Sequence, residues 1–249
     1  MSKFERLEDF DRQLLDWIKE DDAGHARNCI FNAIQHFKLA EKIKYIDSEM
    51  AIFRLITAEE EVAMAILLTL EKHKYNNVDK INKKEHKYKQ GLDFFLNVIQ
   101  NFLASCSKDD NFPKEFKLFL NKNKKLLEVE FSIGESTELI KPMPPLNFSM
   151  TVNDKTYYFK DELENLASKN TKKISKQIEK KAKLRNEILY ASTNGIPKLD
   201  EDIDSLFDTY HKTVFRLIRV YYLIYPYKKE KFEFVQNAID AYISMMKRD

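Results

Sequence analysis

A mostly helical, up-and-down bundle is the fold this sequence predicts, and three observations carry the expectation. Apolar residues recur at helical spacing through most of the 249 positions. Only four Gly and six Pro occur, few for a chain rich in turns and sheet. Leu, Ile, Lys, Glu and Phe dominate the composition. One region departs from this, 126–160, where alternation replaces helical spacing. A few short strands cannot bury a core alone. The expectation is therefore an all-α domain over 1–249, with 126–160 as a small β-hairpin insertion and the remaining helices flanking the bundle.

Taken in order, Phe4, Leu7, Phe10, Leu14, Trp17 and Ile18 share one face and predict a first helix over 4–20. Asp21-Asp22-Ala23-Gly24 interrupts it. Ile30, Ile34, Phe37 and Ala40 predict a second helix over 25–42. A third starts at Asp47 or Ser48, either of which can cap it, and runs to about Lys74. Leu92, Phe95, Leu96, Ile99 and Leu103 predict a fourth over 85–105, and Phe112–Leu120 reads as a shorter helix behind Pro113. Leu127 to Ile133 then alternates like a strand. Phe148–Val152 and Thr156–Phe159 flank Asn153-Asp154-Lys155 as a hairpin. Helical spacing resumes over 161–190, followed by a loop over 192–199 with Gly195 and Pro197. Ile203 to Tyr221 forms a long amphipathic helix that Pro226 stops. Phe232, Val235, Ile239, Tyr242 and Met246 complete a last one.

Charge and cysteine content narrow the class. The formal net charge is +2, so no global field argues for or against nucleic acid. Cys29 and Cys106 are too few for a disulfide framework and read as buried free thiols. The N-terminal residues lack the apolar core of a signal peptide. The longest apolar run, Val62–Leu68, is far short of a membrane span. The expectation is a cytoplasmic protein with no membrane partner.

Glu59-Glu60-Glu61 stand directly before that apolar run. If the helix is continuous from Asp47, at least one of the three faces the interior and needs a cation or donors. Arg185, Lys89 and His86 are the partners to look for. The competing reading has the helix restart at Thr57, with Thr57 and Glu60 as a capping box and the acids solvated. No His has a Glu three positions before it, so the di-metal pattern of helical bundles is missing and neither a metal nor a cofactor is expected. Lys172, Lys173, Lys176, Lys180, Lys181, Lys183 and Arg185 surround a single acid, Glu179. Such a run can follow an RNA backbone, or simply face solvent.

Arg185-Asn186 followed by Tyr190 approaches a ribonuclease motif, in which an Arg and a polar residue precede a His at the fifth position. The Arg holds a phosphate and the His moves a proton near neutral pH. Tyr190 stands in the His position, and a phenol is a poor general base there. Together with Ala58, Glu60-Glu61, Ala65–Leu68, His86, Lys89, Leu189, Gly195 and Pro197 in that order, the motif resembles the AbiV-type abortive-infection proteins. These are a HEPN-related group of bacterial phage-resistance factors. The resemblance covers about two thirds of the chain. The chain departs from it at Tyr190, and at Met64, where the family pattern has a Lys.

The resemblance implies a HEPN-like bundle and an antiviral protein acting on RNA or the translation machinery. Metal-independent RNA cleavage is one form of that function. The alternative is a non-catalytic module binding a phage or host protein. On the catalytic form, Arg185 would stabilise the phosphorane charge and Asn186 position the phosphate. Tyr190 would manage the proton, or His86 if its helix lies beside Arg185. Glu60, Glu61, His86 and Lys89 would complete the site. HEPN folds pair to join two Arg motifs, which implies a homodimer. Tyr221, Tyr222, Tyr225 and Tyr227 offer aromatic surface for one.

Overall fold

A computed structural model describes residues 9–20, 24–106, 113–133, 138–190 and 202–247. The protein is mostly helical. Among the described residues, helices α1 (Asp9–Glu20), α2 (His25–Ile43), α3 (Ser48–Lys72) and α4 (His86–Cys106) come first. Strands β1 (Pro113–Asn121), β2 (Leu126–Ile133), β3 (Met150–Val152) and β4 (Lys155–Tyr157) follow. Helices α5 (Lys160–Leu189), α6 (Ile203–Ile224) and α7 (Glu233–Met246) close the chain. The 192–199 loop and residues 1–8 lie outside the described residues.

Two compact units share the chain. One comprises Met1–Leu68, Lys83–Asp93 and Ser175–Tyr221, the other Thr69–Asn82, Phe94–Ile174 and Tyr222–Asp249. The sequence reading treats 1–249 as one domain, whereas α3, α4, α5 and α6 each contribute residues to both units.

The first unit consists of helices and their connecting turns, with no strand among its described residues. Phe37 and Ala40 of α2, Ala51, Ile52, Leu55 and Ile56 of α3, Ile188 of α5 and Phe207 and Tyr210 of α6 form one buried cluster. Phe37 and Phe207 meet edge to face at 5.8 Å. Helix α3 begins where Asp47 Oδ1 accepts the Met50 N–H at 2.9 Å, the expected cap. It does not restart at Thr57, whose hydroxyl donates to the Phe53 carbonyl at 2.9 Å. The capping-box reading fails because Thr57 already lies in the helix interior, where its hydroxyl bonds one turn back. Asp11 of α1 takes a two-pronged ion pair from Arg219 of α6, Nε to Oδ1 at 2.9 Å and Nη2 to Oδ2 at 2.7 Å.

The second unit mixes helix and hairpin. The expected helix over Phe112–Leu120 is instead β1, paired antiparallel with β2 from Asn121↔Leu126 to Pro113↔Ile133, with an irregularity between Lys114 and Lys117. Phe116, Leu118, Phe119 and Leu120 fit either period, and a partner strand decides such a segment. The β structure therefore begins at 113 rather than 126. The second hairpin forms, but shorter than the expected Phe148–Val152 and Thr156–Phe159: Met150–Val152 pairs with Lys155–Tyr157, so Lys155 lies in a strand and not in the turn. Asn153 and Asp154 have φ of 49° and 60°, as a two-residue type I′ turn requires.

Aromatic rings join the hairpin to α7 within this unit: Phe131 to Phe116, Phe116 to Phe148, Phe148 to Phe234, with centroids 5.2–5.6 Å apart. Helix α3 ends at Lys72, two residues before the expected Lys74. Lys74 adopts φ 60° while Tyr75 N–H reaches the Leu70 carbonyl and Lys74 N–H that of Glu71, a Schellman ending. Tyr221, Tyr222 and Tyr225 are buried in the chain and Tyr227 is half-buried. This removes the surface argument for a dimer, because the aromatic excess fills the protein's own core. No helix among the described residues is long and apolar enough to cross a membrane.

Candidate functional site

Successive residues of an α-helix are about 100° apart, so Glu59, Glu60 and Glu61 of α3 address three different neighbours in the first unit. Glu59 meets α5, where Lys181 Nζ donates to both carboxylate oxygens at 2.6 Å. Glu60 meets α4. Its Oε2 lies 2.6 Å from His86 Nδ1 and 3.4 Å from Lys89 Nζ, and its Oε1 accepts from Gln90 Nε2 at 2.8 Å. Half-buried Glu61 turns to α2, where its charge acts on Cys29 and His36.

Each position has a local reason. His86, Lys89 and Gln90 are at i, i+3 and i+4 of the first turns of α4, one face of that helix. One turn further on, buried Asp93 pairs with Arg216 of α6. Burial pushes the Glu59 carboxyl up to about 7, with Asp93 and Glu60 adding to the rise and Lys181 opposing it. Burial first, then Glu61, pushes the Cys29 thiol up to about 12, an unreactive thiol at neutral pH. Burial, then Arg54, lowers His36, whose Nδ1 lies 3.5 Å from Arg54 Nη1.

His86 is the accessible member. Its side chain is 46% exposed although the Glu60 carboxylate behind it is buried. A carboxylate on Nδ1 fixes the ring's orientation and leaves Nε2 as the nitrogen that can exchange a proton. Among the described residues, no group of His, Cys, Asp and Glu is placed to hold a metal ion.

The expected partnership of Arg185 with Glu60 or Glu61 does not form. The half-buried Arg185 guanidinium instead lies over the Phe53 ring, 5.4 Å from its centroid. Asn186 is exposed, and Tyr190, just past the end of α5, is 66% exposed. These two face solvent rather than an interior cleft. The apolar stripe of α5 runs through Ile174, Ile178, Leu184 and Ile188, and positions 186 and 190 fall off it.

Of the expected site, then, Glu60, His86 and Lys89 come together and Glu61 lies beside them on another face. Lys181, Gln90 and Asp93 complete the polar cluster and were not anticipated. Lys181 carried a legible signal, since it interrupts the Ile174–Ile178–Ile188 stripe, yet it reads naturally as part of the lysine run. Lys176, Lys180 and Lys183 of that run are exposed. Comparison with known proteins gives no match to a family model, a curated protein or a solved structure.

Proposed function

We propose that this chain is a HEPN-like protein of the abortive-infection kind that acts on RNA without a metal. His86, held by Glu60, takes the proton-handling role. The observation that carries this reading is the 2.6 Å contact between His86 Nδ1 and the buried Glu60 carboxylate, on a ring that solvent reaches.

Neutral His86 Nε2 would take the proton of a ribose 2′-hydroxyl as its oxygen bonds to phosphorus. It would then return that proton to the departing 5′-oxygen, leaving a 2′,3′-cyclic phosphate and a 5′-hydroxyl. Arg185 would hold the phosphate only by the resemblance, since its guanidinium lies over the Phe53 ring and not beside the Glu60–His86 pair, and the exposed lysines of α5 favour a polyanion. Tyr190 has no proton role here.

The test is cleavage of labelled single-stranded RNA in the presence of a chelator. Folded His86→Ala should lose about 10²–10⁴-fold in rate. Undiminished cleavage by that variant would remove His86 from the reaction.

One observation favours the second reading, a non-catalytic module for a phage or host protein. Glu59 and Glu60 bind α5 and α4 to α3 from buried positions, as a packing network would. Wild-type protein that cuts no RNA yet confers phage resistance, unchanged in His86→Ala, would establish that reading.

A further inference from the structure

Gln90 is 1% exposed, and its side chain does one visible thing: Nε2 donates to Glu60 Oε1. The amide cannot be turned, because its oxygen would then face a carboxylate oxygen. In the orientation that works, Gln90 Oε1 is buried with no hydrogen-bond partner. An orphaned buried acceptor offsets much of what the single bond contributes to stability. What the bond does achieve is geometric. With Oε1 held by Gln90, the Glu60 carboxylate cannot rotate, and Oε2 stays on His86 Nδ1 instead of swinging wholly to the Lys89 ammonium.

We propose that Gln90 is a positioning residue that locks Glu60 onto His86 and so holds the neutral imidazole in its Nδ1–H tautomer, with Nε2 as the basic nitrogen. A group anchoring the ligand of a working side chain commonly matters as much as that ligand. The proposal rests on His86 being the proton-handling group, but its test needs no RNA.

The measurement is a long-range ¹H–¹⁵N spectrum of the full chain labelled at histidine, taken above pH 8, with the His86 signals identified by their loss in His86→Gln. Wild type should show a protonated Nδ1 and a bare Nε2. Gln90→Met, close to Gln in volume and confirmed as folded by thermal melting, should shift both nitrogens towards averaged values. Glu60→Gln should produce the same averaging. If Gln90→Met does not fold, Gln90→Asn keeps the amide but withdraws it by one methylene, and should behave alike. A wild-type pattern in the folded Gln90 variant, with averaging only in Glu60→Gln, overturns the role of Gln90 and leaves the dyad standing. An unchanged pattern in both overturns the dyad as well.

Discussion

Lys181 Nζ sits 2.6 Å from each oxygen of the Glu59 carboxylate, joining α5 to α3 through a pair in which the acid is only 1% exposed. The expected contact was Arg185 of α5 with Glu60 or Glu61; the pair that forms uses a different acid, Glu59, and a base one helical turn nearer the N-terminus of α5. An ammonium with three donors can straddle both oxygens of one carboxylate, whereas the guanidinium of Arg185 finds an aromatic face instead.

Breaking that pair from one side should be costly and removing it whole should not. Lys181→Met leaves a buried acid unpaired and should lose about 3–5 kcal/mol, whereas Lys181→Met with Glu59→Leu should recover most of it. Urea unfolding at neutral pH measures both. A double variant no more stable than the single would show that the pair stabilises the fold beyond mutual compensation.

Glu59 should also make stability fall as pH rises. Its folded carboxyl, raised from 4.5 to about 7, holds a proton that the unfolded chain has released. The native state thus binds more protons between those values, and stability declines with pH across that window. The slope of unfolding free energy from pH 4.5 to 7.5 should be shallower in Glu59→Gln. Parallel slopes would mean Lys181 keeps the acid ionised throughout.

His73 acts with the opposite sign. It is buried, neither ring nitrogen has a hydrogen-bond partner, and burial, then Lys72 and Lys228, lowers its pKa. The stability present above the ordinary value near 6.5 should drain away as pH falls towards the lowered folded value. His73→Leu should remove that loss and gain on the order of 1 kcal/mol at neutral pH by deleting two unsatisfied atoms. Thermal melts at pH 5 and pH 8 decide it; equal acid sensitivity in the variant would clear His73 of the effect.

Asp47→Ala should cost about 1 kcal/mol by uncapping α3, and Asp47→Asn should cost little, since either side chain can accept the Met50 N–H. Chemical denaturation of the two variants side by side gives the comparison. Equal loss in both would point to the charge at the helix N-terminus and not to the hydrogen bond.

Tyr190→Phe should leave stability within about 0.5 kcal/mol, because the ring is 66% exposed, and should leave RNA cleavage intact. Folded Arg185→Ala should lose cleavage. A folded Tyr190→Phe that loses activity as fully as Arg185→Ala would return the proton role to the phenol.

Much of the helical plan was legible in the sequence, for a physical reason: a core-facing stripe repeats every three or four residues wherever the partner helix lies. The boundaries of α2, α3 and α4, the Asp47 cap and the Asn153-Asp154 turn all rest on such local chemistry. The demand that an acid before Val62–Leu68 be buried and paired was equally local, and His86 and Lys89 answer it.

Three things were left to tertiary structure. Pro113–Leu120 carries apolar residues compatible with both periods, so only the presence of β2 beside it makes it a strand. The tyrosines after Leu217 could cover a core or a partner, and the fold turns most of them inward. The choice of Lys181 over Arg185 depends on which turn of α5 lies opposite Glu59. A helix sequence states which residues share a face, but the axial offset between two packed helices is set by how their side chains interlock, and no single sequence segment contains that information.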